Sequence, residues 1–226
     1  MSLRAIVQTG LKTIDYLLIT HYHGDHIQFA PLLRERYGAK IATTTNIASI
    51  LKYPRKFRYP CTLYWYGFPF ATLDCDVLLE YGNPLFWHGN AVTPIHTPGH
   101  CYAHTGFLLE WNGEKIACTG DALQYGSGLI RADWPIIYND VAWPGGSLLI
   151  TLRKLAEYCP SLVLCGHSHT FENLNGAIIA KFISAYEEAE QLATAMLHDA
   201  NLMRAMTPPE YNSLFEVLSM RTKIVG

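Results

Sequence analysis

The sequence predicts an α/β fold. Short apolar runs of strand length alternate along the chain with segments of helical periodicity. Each histidine-bearing cluster also follows directly on one of the strand candidates, which is where α/β sheets gather their sites.

Ile14 to Thr20 is a mostly apolar run ending in a polar cluster, the pattern of a buried parallel strand. Ile27 to Tyr37 has helical spacing, with Pro31 tolerable in the first turn and Gly38 as a stop. Lys40 to Ala42 reads as the next strand, and Asn46 as the cap of a helix through Lys52. Strands are expected again at Ala91 to His96 and Gly106 to Trp111. Asn112-Gly113 then makes a hairpin turn into Lys115 to Thr119. Ser147 to Tyr158 reads as an amphipathic helix, Ser161 to Cys165 as a buried strand and Ala180 to Ala205 as a long helix. A further helix start lies at Thr207 to Glu210.

Tyr53 to Asn90 carries few periodic signals and many Tyr, Trp, Phe and Pro residues. It reads either as an aromatic-rich insertion or lid, or as short strands whose aromatics pack on the core. The expected division is a catalytic domain over 1–180 and a C-terminal helical extension over 181–226.

Half of the 226 residues are hydrophobic and 16% are charged, a globular balance. The net charge of −2 and the lack of a basic stripe argue against a long nucleic-acid partner. No apolar run approaches the ~18 residues of a membrane span. The six cysteines include no CxxC pair, and no signal-peptide pattern opens the chain. These features predict reduced thiols and a cytoplasmic protein.

The chemistry is concentrated in His21-Tyr-His23-Gly-Asp25-His26, three imidazoles and a carboxylate just past a buried strand. Such a group is costly to bury unless it is paired or metallated. In an extended turn His21 and His23 point one way, leaving Asp25 and His26 to face a second point. Imidazole and carboxylate suit zinc, iron or manganese.

The chain resembles the metallo-β-lactamase superfamily, whose HxHxDH signature after a strand precedes three further ligand segments. Thr97-Pro-Gly-His100, Thr119-Gly-Asp121 and Cys165-Gly-His167 resemble those segments, in the same order. The resemblance implies a four-layer αββα sandwich. It implies two divalent metal ions, zinc first with iron or manganese as alternatives. His21, His23 and His100 would hold one, Asp25, His26 and His167 the other, and Asp121 would bridge. His23 separates the chain from the flavodiiron branch, which carries Glu at that step.

The nearest branch by motif is glyoxalase II, or hydroxyacylglutathione hydrolase. Gly120 to Arg131 is similar to its GDxLFxGGxGR segment, and Cys165 to Ala177 to its CGHEYTxxNLxFA segment. The implied activity is hydrolysis of an ester-like acyl bond, a thioester or lactone in a small-molecule substrate, by a hydroxide shared between the metals. Asp25 would orient that hydroxide and pass on its proton, with activity falling below roughly pH 6. Tyr125 could donate to a developing oxyanion or simply pack, and His169 could face substrate or solvent. The alternatives are a phosphodiesterase of the same fold, or a non-catalytic or truncated member acting as a binding protein. His96 and His104 are expected to pack behind the site.

Three departures stand out. With 20 residues before His21, N-terminal strands of the first sheet are expected to be missing, leaving an open edge that favours a homodimer. The His26 to His100 interval is longer than in glyoxalase II by the Tyr53 to Asn90 segment. The C-terminal segment lacks that branch's basic pattern, although Arg204, Arg221 and Lys223 are present.

Overall fold

The computed structural model describes residues 10–53, 72–101, 103–123, 148–167, 171–172, 179–188 and 191. Among them, β1 (Tyr16–Leu18), β2 (Lys40–Thr44) and β3 (Val77–Leu79) form a three-stranded parallel sheet in that order. A second sheet runs β4 (Leu85–Trp87), β5 (Asn90–His96), β6 (Thr105–Trp111), β7 (Glu114–Gly120), β8 (Leu162–Cys165) and β9 (Phe171–Glu172). Its neighbours are antiparallel except β7 and β8, which are parallel.

Alternation of side chains sorts the apolar residues into layers. Ala42 of β2, Leu79 of β3, Val92 of β5 and Phe107 of β6 meet between the two sheets, joined by Leu18, Trp87 and Leu109. Ile41, beside Ala42, turns outward onto the helices α1 (Gly24–Ile27), α2 (Ala30–Tyr37) and α3 (Thr45–Lys52) through Ile27, Ala30, Ile47 and Ile50. On the far side, Ala117 and Val163 of the second sheet pack against α4 (Leu148–Tyr158) through Leu152 and Leu155. Ile179 and Phe182 of a further helix, α5 (residues 179–188), join the same cluster. Helices, sheet, sheet, helices is the four-layer order expected.

Local sequence explains the boundaries. Pro31 falls in the first turn of α2, and Gly38 closes that helix with φ 72°, a left-handed conformation that glycine adopts without penalty. Asn112 and Gly113 have φ 52° and 82°, both positive as a two-residue hairpin of this hand requires. One expectation needs correcting. α3 starts at Thr45, so the cap position falls on the extended Thr44 (ψ 156°) rather than on Asn46, and no side-chain cap bond forms. The Thr44 hydroxyl is instead 3.0 Å from that of Thr105 across the sandwich.

Within Tyr53 to Asn90, residues 77–79 and 85–87 are short strands, and Leu79, Leu85 and Trp87 pack between the sheets. Residues 54–71 lie outside the described set, as do most of 181–226. Asp15, at the start of β1, accepts hydrogen bonds from Trp87 Nε1 at 2.8 Å and His88 Nε2 at 3.0 Å, tying one sheet to the other. Among the described residues, Cys75, Cys118, Cys159 and Cys165 are free thiols. Among the described residues no helix is long and apolar enough to cross a membrane.

Candidate metal centre

The chain leaving β1 is drawn in between the two sheets. Ile19 N bonds Ala42 O at 3.0 Å, and Thr105 N bonds Thr20 O at 2.7 Å. His21 then forms a bridge with His104 and is completely buried. Its Nδ1 lies 3.0 Å from Thr20 Oγ1, which leaves Nε2 to face inward. His23 is extended (φ −67°, ψ 144°) at the start of α1, whose first turn carries Asp25 and His26. The change from extended chain to helical turn aims the two halves of the motif at different points.

Three more segments converge from the second sheet. His100 sits in the turn joining β5 to β6. Asp121 follows β7, whose pairing with β8 shifts register between Cys118 and Gly120 and ends at Gly120 opposite Cys165. Gly166 and His167 follow β8, and Gly166 N bonds Gly120 O at 2.8 Å. Because β7 and β8 are parallel, Asp121 and His167 emerge at the same end.

Together the seven residues form two overlapping groups. Ligand-type atoms of His21, His23, His100 and Asp121 lie within 4.8 Å of one another, and so do those of Asp25, His26, Asp121 and His167. Asp121 Oδ2 is the common point, at 3.8 Å from His21 Nε2, 3.2 Å from His26 Nε2, 3.5 Å from His100 Nε2 and 3.3 Å from His167 Nε2. Asp25 Oδ2 adds contacts of 2.7 Å to His167 Nε2 and 3.4 Å to His26 Nε2.

The two groups differ electrostatically. Burial, reinforced by neighbouring imidazoles, pushes His21 well below its ordinary value and His23 down to about 4; burial also lowers His100. All three are therefore neutral at pH 7, the form that binds a cation. Burial also acts against a charged His26, but the hydrogen bonds of Asp121 and Asp25 outweigh it and raise His26 to about 9. Burial would raise Asp25 and Asp121, yet His26 and its neighbours hold both below the usual carboxylate range, Asp25 at about 2.

The donor set fits divalent metals on three grounds. Among the described residues, His21 Nε2 and Asp121 Oδ1 are buried polar atoms with no hydrogen-bond partner, an arrangement that costs free energy unless something else satisfies them. Imidazole nitrogens also face each other at 3.0 Å (His23 Nδ1 and His100 Nε2) and 3.1 Å (His26 Nε2 and His167 Nε2), converging as ligands around a cation do. Nitrogen and carboxylate oxygen suit zinc, iron or manganese.

Tyr125 and His169, singled out in the sequence, lie outside the described residues. His104 is buried beside the site, stacked on His21 with ring centroids 4.9 Å apart, and its Nδ1 is 2.7 Å from Thr97 Oγ1. His96 is farther back, against Tyr81. Sequence reasoning missed Thr20, Thr97 and Gly166, which shape the site without being ligand types. Their only signal is adjacency to the histidine motifs, which cannot distinguish a supporting hydroxyl from an ordinary loop residue.

These features define an αββα sandwich with a shared histidine–carboxylate centre at its strand ends. A family model described as the metallo-beta-lactamase superfamily matches residues 2–167, and the chain belongs to that superfamily. The hydroxyacylglutathione hydrolase of Acidiphilium cryptum is 29% identical over 205 residues, covering 90% of this chain and 68% of that protein. The hydroxyacylglutathione hydrolase of a Chelativorans species is 31% identical over 179 residues, covering 78% of this chain and 56% of that protein. The chain thus spans between about half and two thirds of the length of these curated relatives. Among solved structures, an archaeal metallo-beta-lactamase superfamily protein from Sulfolobus tokodaii superposes with a TM-score of 0.56 at 24% identity, covering 78% of this chain and 69% of the other. A metallo-beta-lactamase from Legionella gormanii gives 0.61 at 16% identity, covering 85% and 79%. These two likenesses are of fold.

Proposed function

We propose that the chain is a two-metal hydrolase acting on an ester-like acyl bond, a thioester or lactone, in a small molecule. The observation that carries this is one carboxylate oxygen, Asp121 Oδ2, within 3.2 to 3.8 Å of four imidazole nitrogens drawn from both groups. His21, His23 and His100 would hold one divalent ion and Asp25, His26 and His167 the other, with Asp121 between them; zinc is the first choice. Ions held there supply Lewis acidity and lower the pKa of water to about 7.

The protein's own groups do the rest. Neutral His21, His23 and His100 keep their nitrogen lone pairs available at pH 7. Asp25 is ionised and only partly buried, so a carboxylate oxygen can accept a hydrogen bond from an attacking water and orient it. His167 is 48% exposed, the most exposed of the seven side chains, and a substrate would approach from its side. Tyr125 and His169 remain candidates to donate to the developing oxyanion and to face the substrate. The thioester preference is supported by curated relatives whose name, hydroxyacylglutathione hydrolase, denotes a thioester substrate.

The test is metal analysis of protein purified without chelator, followed by turnover of an aryl thioester, an aryl lactone and bis-nitrophenyl phosphate. About two equivalents of metal per chain and acyl hydrolysis exceeding phosphodiester hydrolysis are expected. Metal far below one equivalent that is not regained on addition would overturn the reading.

A further inference from the structure

We propose that Thr151 of α4 is a positioning residue for His100, acting through the main chain of the turn that carries it. The inference rests on the metal reading above. It concerns a helix on the outer face of the second sheet that supplies none of the seven ligands.

The turn from Thr97 to His100 leaves the sheet where β5 ends, and its first tie to the opposite strand is long, Thr97 N to His104 O at 3.4 Å. α4 holds it from behind at three points. Leu148 packs so closely on Gly99 that a Cβ there would lie 2.6 Å from Leu148 Cβ. Thr151 Oγ1 donates to Pro98 O at 2.8 Å, and both partners are buried. Lys154 Nζ donates to His96 O at 3.0 Å. Residues 148, 151 and 154 recur every three positions and therefore share one face of the helix. That face follows the main chain from His96 to Gly99 and stops one residue short of His100.

Gly99 makes the approach possible. Its φ of 124° is a conformation side chains rarely adopt, and it lacks the Cβ that would strike the helix. Of the three contacts, Thr151 is the completely buried hydrogen bond, so it is the least free to shift. A ligand ring follows its own Cα, and a turn loosened by a fraction of an ångström displaces the imidazole from the common point with His21, His23 and Asp121.

The experiment compares wild type with Thr151→Val, which keeps the shape and removes the hydroxyl, and with Thr151→Ser, which restores it. Thr151→Cys, similar in volume with a weaker donor, is a graded second variant should the valine protein not fold. Zinc dissociation constants are read by competition with a chromophoric chelator, and urea unfolding of the metal-free proteins reports stability separately. His100→Ala identifies which constant belongs to the three-histidine group. The expected result is an approximately ten-fold weakening of that constant in Thr151→Val. The other constant is unchanged, and the serine variant behaves like wild type. Two zinc ions bound with wild-type constants by Thr151→Val, whatever its urea midpoint, would make Thr151 merely structural and overturn this inference alone. A wild-type chain that binds no zinc would overturn the metal reading and this inference with it.

Discussion

Gly166 lies directly against Oδ1 of Asp121, nearer than any side chain could approach. A Cβ at Gly166 would overlap that oxygen and come within 2.8 Å of His26 Cε1. The glycine before His167 thus sets how far the shared carboxylate can sit toward β8. Gly166→Ala is expected to push Asp121 off the common point and to weaken metal binding by roughly 10- to 100-fold at both groups. Chelator competition reads this directly, and wild-type constants in the alanine variant would refute it.

Asp121→Asn probes the same centre by charge. The amide keeps the shape of the side chain but removes the anion that four imidazole nitrogens approach. Metal content is expected to fall from about two equivalents to one or fewer, and hydrolysis to fall by at least about 100-fold. Elemental analysis alongside thioester turnover checks both. Loss of turnover with full metal retention would mean that Asp121 acts in the reaction rather than in holding the ions.

Phe107 sits between the sheets and is 2% exposed, packed with Ala42, Leu79 and Val92. Phe107→Ala is expected to cost about 3–5 kcal/mol, since the two sheets cannot collapse fully onto the space left. Urea unfolding of the metal-free protein measures it. A loss below about 1 kcal/mol would place the stabilising core elsewhere.

His96 offers a test by pH, outside the two histidine–carboxylate groups. Burial, with the Lys154 charge adding to it, holds the folded-state value below 6.5. Below 6.5 the unfolded chain therefore takes up a proton that the folded chain resists, and stability falls as pH falls. The wild-type advantage over His96→Asn in unfolding free energy is expected to shrink between about pH 7.5 and pH 5. An advantage that grows on acidification would reverse the sign and defeat the argument.

Much of this protein is legible in residue order. Local signals carry the strand at Ile14 to Thr20, the Asn112-Gly113 hairpin and the stop at Gly38, because each depends on near neighbours in the chain. The motifs also pick out His21, His23, Asp25, His26, His100, Asp121 and His167, in two groups that the fold then brings together. The cap of α3 falls on Thr44 and not on Asn46, and Thr44 has a hydroxyl partner in Thr105, 61 residues away, which nothing local announces. Tyr53 to Asn90 resisted reading for the same reason. Its strands at 77–79 and 85–87 are specified by packing between two sheets and not by their own periodicity.

The sequence by itself determined the chemistry available, because ligand type is a property of the side chain and its spacing limits which groups one turn can offer. Only the tertiary structure decided what surrounds those side chains. The contact of Gly166 with Asp121, the stacking of His104 on His21 and the hold of α4 on the Thr97 to His100 turn join segments far apart in the chain. Such contacts arise when whole layers pack, and packing is settled by the shapes of all the elements together.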